Sequence, residues 1–96
     1  MIILPPDAME RSVARLMERL RNGKGWKHRE AARELGISRS GVTKMEGGGR
    51  HVRLTQVPLI CVAYGLTEPE FMTEWLKDRR HEARLMEEFK RRRLRF

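Results

Sequence analysis

The 96-residue sequence predicts an all-α fold of five helices around one core, and three observations carry that expectation. Apolar residues recur at three- and four-residue spacing in five separate stretches. Each stretch is opened by a capping residue or closed by glycine. Nowhere do apolar and polar residues alternate as a half-buried strand requires.

Asp7-Ala8-Met9-Glu10 has the Asp-x-x-Glu form of a capping box. Met9, Val13, Leu16, Met17 and Leu20 then form one helical face up to a stop at Asn22-Gly23. A second, short helix runs from Lys27 to Leu35 through Ala31 and Ala32 and ends at Gly36. Ser38 caps a third, from Arg39 to Glu46, with Val42 and Met45 turned inward and Gly47-Gly48-Gly49 ending it. Leu54 to Tyr64 is read as a fourth helix with Thr55 as its cap, Pro58 in its first turn, and Leu54, Val57, Ile60, Cys61 and Tyr64 as its apolar stripe; Gly65 closes it. Thr67-Glu68-Pro69-Glu70 opens the fifth, which carries Phe71, Met72, Trp75 and Leu76. Trp26 and Trp75 are expected as core anchors. The chain divides into an apolar N-terminal arm (1–6), a helical domain (7–76) and a basic C-terminal helical extension (77–96).

Charge narrows the class of partner. There are 21 Lys and Arg against 13 Asp and Glu, a net charge of +8 and a pI near 10.8, which suits a polyanion. From Lys24 to Arg53, eight cations meet three acids, so a surplus of five sits on this stretch. One cysteine, Cys61, allows no internal disulfide and fits a cytoplasmic protein. Met1 to Leu4 has no positive flank and stops at Pro5-Pro6, too short for a signal peptide, and no later run approaches the roughly 18 apolar residues of a membrane span. Cys61 with His28, His51 and His81 makes no metal-ligand spacing, so no metal or other cofactor is expected. Ser38, Ser40, Thr43 and Thr55 lack a base and an orienting acid, and the enzyme reading has no support. Glu46 reads as an internal ion-pair partner.

Two helices of about eight residues joined by Gly36-Ile37-Ser38 bury useful faces only if they cross steeply and share a core. Small Ala32 allows the approach, and Ile37, Val42 and Met45 fill the angle. These features, with Leu35-Gly36-Ile37-Ser38, Met45-Glu46, the glycine-rich exit to Arg50 and the later Ala63-Tyr64-Gly65-Leu66, resemble the Cro/XRE-type, lambda-repressor-like helix-turn-helix family. The resemblance spans Leu20 to about Leu76.

The resemblance implies that the third helix enters the major groove of double-stranded DNA, with Arg39, Ser40, Thr43 and Lys44 aimed at base edges and nearby phosphates. Arg39 is the leading candidate for bidentate readout of guanine. It implies that the opening of the second helix and the segment after the third hold phosphates: Lys27, His28 and Arg29, then Arg50, His51 and Arg53. His28 departs from the glutamine usual there. Arg33 is left out of this set because Arg29, Glu30, Arg33 and Glu34 are expected to satisfy one another along the second helix. Gly41 has two readings: a bare Cα that lets the helix approach the groove floor, or an exposed position that tolerates glycine.

Met72, Trp75, Met86 and Phe89 are placed to share a dimerisation face on a continuing fifth helix, and a homodimer doubles the site at a spacing of about 34 Å. The run Lys90 to Arg95 allows a phosphate-binding tail, a DNA clamp or a protein-binding segment. The expectation is a dimeric sequence-specific transcriptional regulator, a repressor at an inverted-repeat operator. The alternatives are an antitoxin-type DNA-binding protein whose extension holds a protein partner, and a nonspecific nucleic-acid binder.

Overall fold

The computed structural model describes residues 6–80, 87 and 90–92. In order along the chain lie α1 (Pro6–Lys24), α2 (His28–Leu35), α3 (Arg39–Glu46), a 3₁₀ turn (Leu54–Gln56), α4 (Val57–Tyr64) and α5 (Glu68–Arg79). The described residues contain no strand, and the all-α expectation holds. Residues 87 and 90–92 are helical. The arm 1–5, Met86, Phe89 and residues 93–96 lie outside the described residues.

Five of the helix ends come from local chemistry. Gly25, Gly36 and Gly65 close α1, α2 and α4 with φ of +70°, +69° and +69°, a conformation that a residue with a Cβ adopts at a cost of about 1–2 kcal/mol. Each makes the same pair of bonds. At Gly36 the glycine N–H donates to the Arg33 carbonyl at 3.3 Å, and the next N–H, of Ile37, donates to the Ala32 carbonyl at 3.0 Å. Ser38 opens α3 by accepting from the Gly41 N–H at 3.0 Å. Thr67 opens α5 with a reciprocal box: its hydroxyl accepts from the Glu70 N–H at 3.2 Å, and the Glu70 carboxylate accepts from the Thr67 N–H at 2.9 Å.

Three boundaries differ from the sequence reading. α1 begins at Pro6, whose fixed φ suits a first helical position, so Asp7 falls inside the first turn. It also passes Asn22-Gly23 to end at Lys24, because the left-handed turn is made by Gly25. The fourth helix does not start at a Thr55 cap. A 3₁₀ turn comes first, with Gln56 Oε1 accepting from the Arg53 N–H at 2.8 Å, and Leu54 leaves the apolar stripe at 85 % exposure.

The core joins Leu16 and Met17 of α1 to Met45, Ile60, Cys61, Tyr64 and Phe71. Ala31, Ala32 and Val42 form a second knot where α2 meets α3, and Trp26, Leu35 and Ile37 pack against both. Trp26 lies against Tyr64 with ring centres 5.4 Å apart. On the far side α5 is tied to α1. Trp75 Nε1 donates to Ser12 Oγ at 2.9 Å, and the Arg19 guanidinium reaches Glu74 at 2.6 Å and Asp78 at 2.7 Å. α5 therefore continues unbroken past residue 76, held through Asp78. Among the described residues no helix is long and apolar enough to cross a membrane.

Candidate nucleic-acid interface

The sequence of α3, Arg39-Ser-Gly-Val-Thr-Lys-Met-Glu46, sorts by helical period into two faces. Gly41, Val42 and Met45 are buried, while Arg39, Ser40, Thr43 and Lys44 are exposed and line one shallow open surface. The four expected base-reading residues are thus together and outward. Thr43 Oγ1 donates back to the Arg39 carbonyl at 3.2 Å, and Ser40 Oγ lies 3.3 Å from the capping Ser38 Oγ.

Glu46 is the one acid of this helix, and it points the other way. Arg21 Nε and Nη2 grip its two carboxylate oxygens at 2.7 and 3.0 Å, with the Arg21 and Glu46 side chains only 12 % and 7 % exposed. Arg21 Nη1 also donates to the Trp26 carbonyl at 2.8 Å, so one guanidinium joins the end of α1, the approach to α2 and the end of α3. The bonds to Glu46 raise the Arg21 pKa above its ordinary value against the opposing effect of burial. Burial, assisted by Glu46, pushes Tyr64 up to about 12, so its phenol stays neutral. The internal role expected for Glu46 holds. Its partner, twenty-five positions earlier, has no local signal in the sequence.

The phosphate candidates flank this surface unequally. Lys27, Arg29, Arg50 and Arg53 are exposed. Lys27, His28 and Arg29 come together with Arg39, Trp26 and Arg21 around an open cleft of about 420 Å³ between the starts of α2 and α3. His28 is turned partly inward, with Nε2 3.4 Å from Glu46. His51 Nδ1 lies 3.0 Å from Glu10 of α1. The expected neutralisation along α2 is absent: among the described residues Arg29, Glu30, Arg33 and Glu34 form no ion pair. Four-residue spacing sets Arg29 above Arg33 and Glu30 above Glu34, like beside like, and Glu30 instead accepts from the Lys27 N–H at 3.1 Å. Arg33 remains an exposed cation.

Gly41 is not at an exposed position. It is buried, and the space its Cβ would take is occupied by the Arg50 guanidinium. The dimerisation set is also divided. Met72 is 46 % exposed, but Trp75 is engaged within the chain by Ser12 and by Arg79, whose guanidinium lies 4.7 Å from the ring centre. A larger apolar surface, missed in the sequence, lies on α4, where Leu59 and Val62 are 64 % and 81 % exposed. The sequence of α4, VPLICVAY, is apolar all round, and such a helix gives no periodic signal of which face stays outside. Among the described residues no group of His, Cys, Asp and Glu could hold a metal.

The family model described as a helix-turn-helix domain matches residues 12–72, which include all of α2, α3 and α4. No curated protein sequence matches the chain. Among solved structures, the wild-type restriction-modification controller protein C.Esp1396I superposes with a TM-score of 0.67 at 17 % identity, covering 73 % of this chain and 92 % of that one. The clp gene regulator ClgR from Corynebacterium glutamicum gives a TM-score of 0.67 at 20 % identity, covering 86 % of this chain and 87 % of the other. At these identities the likeness is one of fold.

Proposed function

The chain belongs to the helix-turn-helix domain family, and from that premise we propose that it is a DNA-binding transcriptional regulator that reads sequence through α3. The observation that carries this reading is the orientation of α3. Its single acid is turned inward onto Arg21, leaving an outer face of Arg39, Ser40, Thr43 and Lys44 that offers only cations and hydroxyls. Lys27, Arg29, Arg50 and Arg53, all exposed, add cations to that positive surface for backbone phosphates. Arg39, at the first position of α3, takes the base-reading role, because a guanidinium at a helix tip reaches guanine O6 and N7 together. The two fold neighbours, a controller protein and a gene regulator, agree with a regulatory role.

The regulator acts as a homodimer on an inverted repeat, and as a repressor by occupancy. The support for dimerisation is the uncharged α4, which leaves Leu59 and Val62 in solvent on a chain of net charge +8. Two copies joined through α4 avoid bringing their cationic surfaces together. In this reading the chain beyond α5 is a separate functional extension.

Selection of bound duplexes from a random pool, followed by titration of Arg39→Ala on the selected site, tests the proposal. A single enriched palindrome, with a loss of about 1–3 kcal/mol for Arg39→Ala confined to one base position per half-site, is the expected result. Absence of any enriched sequence, with equal affinity for selected and scrambled duplexes, would leave a nonspecific binder instead.

A further inference from the structure

We propose that Gly41 is a positioning residue whose missing side chain lets Arg50 fold back over the first turn of α3, where Arg50 grips the phosphate bordering the recognition helix. The proposal rests on the DNA-reading role of α3 and adds to it a device that sets how the helix is seated.

Glycine inside a helix is weaker than alanine, and an eight-residue helix has few turns over which to absorb that loss. The φ of Gly41 is not positive, so backbone conformation does not demand glycine there. Space does. A Cβ built on Gly41 would lie 2.6 Å from Arg50 Nη1, 3.1 Å from Ser38 Oγ and 3.5 Å from Ile37 Cδ1. The guanidinium covers Gly41 and buries it, although Arg50 is itself exposed.

The electrostatics of this placement point to an anion. The first turn of a helix is its positive end, where a cation is disfavoured. Among the described residues no carboxylate stands within ion-pair distance of Arg50. Arg50 adds a positive charge beside Gly41 in the first turn of α3, open to an anion that approaches the outward face of that helix. A backbone phosphate along the wall of the groove supplies that anion and gains the fork geometry of arginine.

The experiment compares Gly41→Ala, Arg50→Ala and the double variant with the wild-type chain. Binding to the selected duplex and to a scrambled one is measured across salt concentrations, and thermal melts are recorded in parallel. Nη1 is the far end of a flexible side chain, so Gly41→Ala is expected to fold with an unchanged or higher midpoint while displacing the guanidinium. Affinity should fall about threefold to tenfold on both duplexes, and the salt slope should become shallower by about 1. Arg50→Ala should reproduce that loss, and the double variant should lose no more than either single one. Additive losses, undiminished affinity in Gly41→Ala, or a Gly41→Ala chain that no longer folds would each overturn the proposal. Failure of the wild-type chain to bind either duplex would instead strike the DNA reading itself, and this inference with it.

Discussion

Replacing Arg21 with methionine should cost far more stability than replacing Arg19, although each arginine holds acidic partners. Arg21 makes three hydrogen bonds, at 2.7 and 3.0 Å to Glu46 and 2.8 Å to the Trp26 carbonyl. Its side chain is 12 % exposed and that of Glu46 7 %, so the pair is shielded from water. Methionine fills much of the arginine volume but leaves the Glu46 carboxylate buried without the guanidinium, with the His28 ring nitrogen 3.4 Å away. Breaking one side of such a pair costs about 3–5 kcal/mol. A domain of this size has a total stability of roughly 5–14 kcal/mol, so the loss is a large part of the whole. The Arg19 side chain is 41 % exposed, and its pairs with Glu74 and Asp78 contribute about 0.2–1 kcal/mol each. Equilibrium urea unfolding at neutral pH, followed by helical circular dichroism, measures both. Adding Glu46→Leu to Arg21→Met should restore most of the loss, because removing both charges of a buried pair is close to neutral. An Arg21→Met cost near that of Arg19→Met, or a double variant no better than the single one, would refute the shielding argument.

Other outcomes follow from the same geometry. Gly36→Ala meets no atom within 4 Å but forces a φ of +69° on alanine; it should destabilise the domain by about 1 kcal/mol in the same urea assay. Glu70 is held below the usual carboxylate value by the hydrogen bonds of Thr67, and Glu74 by those of Lys77 and then Arg19. Their contribution is therefore complete above the ordinary value of 4.5 and is lost as pH falls through the lower folded values, so Glu70→Gln and Glu74→Gln should each flatten the decline of melting temperature in that acid range. Val62→Glu, at a position 81 % exposed, should leave folding intact but shift sedimentation toward monomer and weaken binding to the full palindrome more than to a half-site.

The helices were legible where a capping or closing residue speaks for itself. Ser38, Thr67, Gly36 and Gly65 each do locally what their residue types imply. The set Arg39, Ser40, Thr43 and Lys44 came from the resemblance to the helix-turn-helix family, and the helical period of α3 puts all four on its exposed face. Distance in the chain hid the rest. Arg21 carries no mark that distinguishes it from Arg19, and only the crossing of α1 over α3 decides which of them is buried on Glu46. The exposed-position reading of Gly41 failed because its neighbour in space, Arg50, comes from beyond the end of α3. Leu54 was misread because one 3₁₀ turn rotates it out of the face it shares with Val57 on an ideal helix. Trp75 looked available for a second subunit because its donor bond to Ser12 spans 63 positions.

The glycine corners at Gly25, Gly36 and Gly65 fix the course of the chain through main-chain bonds, and the four outward residues of α3 take no part in those corners. The part of the molecule that aims α3 and the outer face it presents are therefore nearly independent. On the proposed reading, lineages diverging from this chain have room to rewrite Arg39, Ser40, Thr43 and Lys44 and acquire new targets without rebuilding the scaffold that presents them.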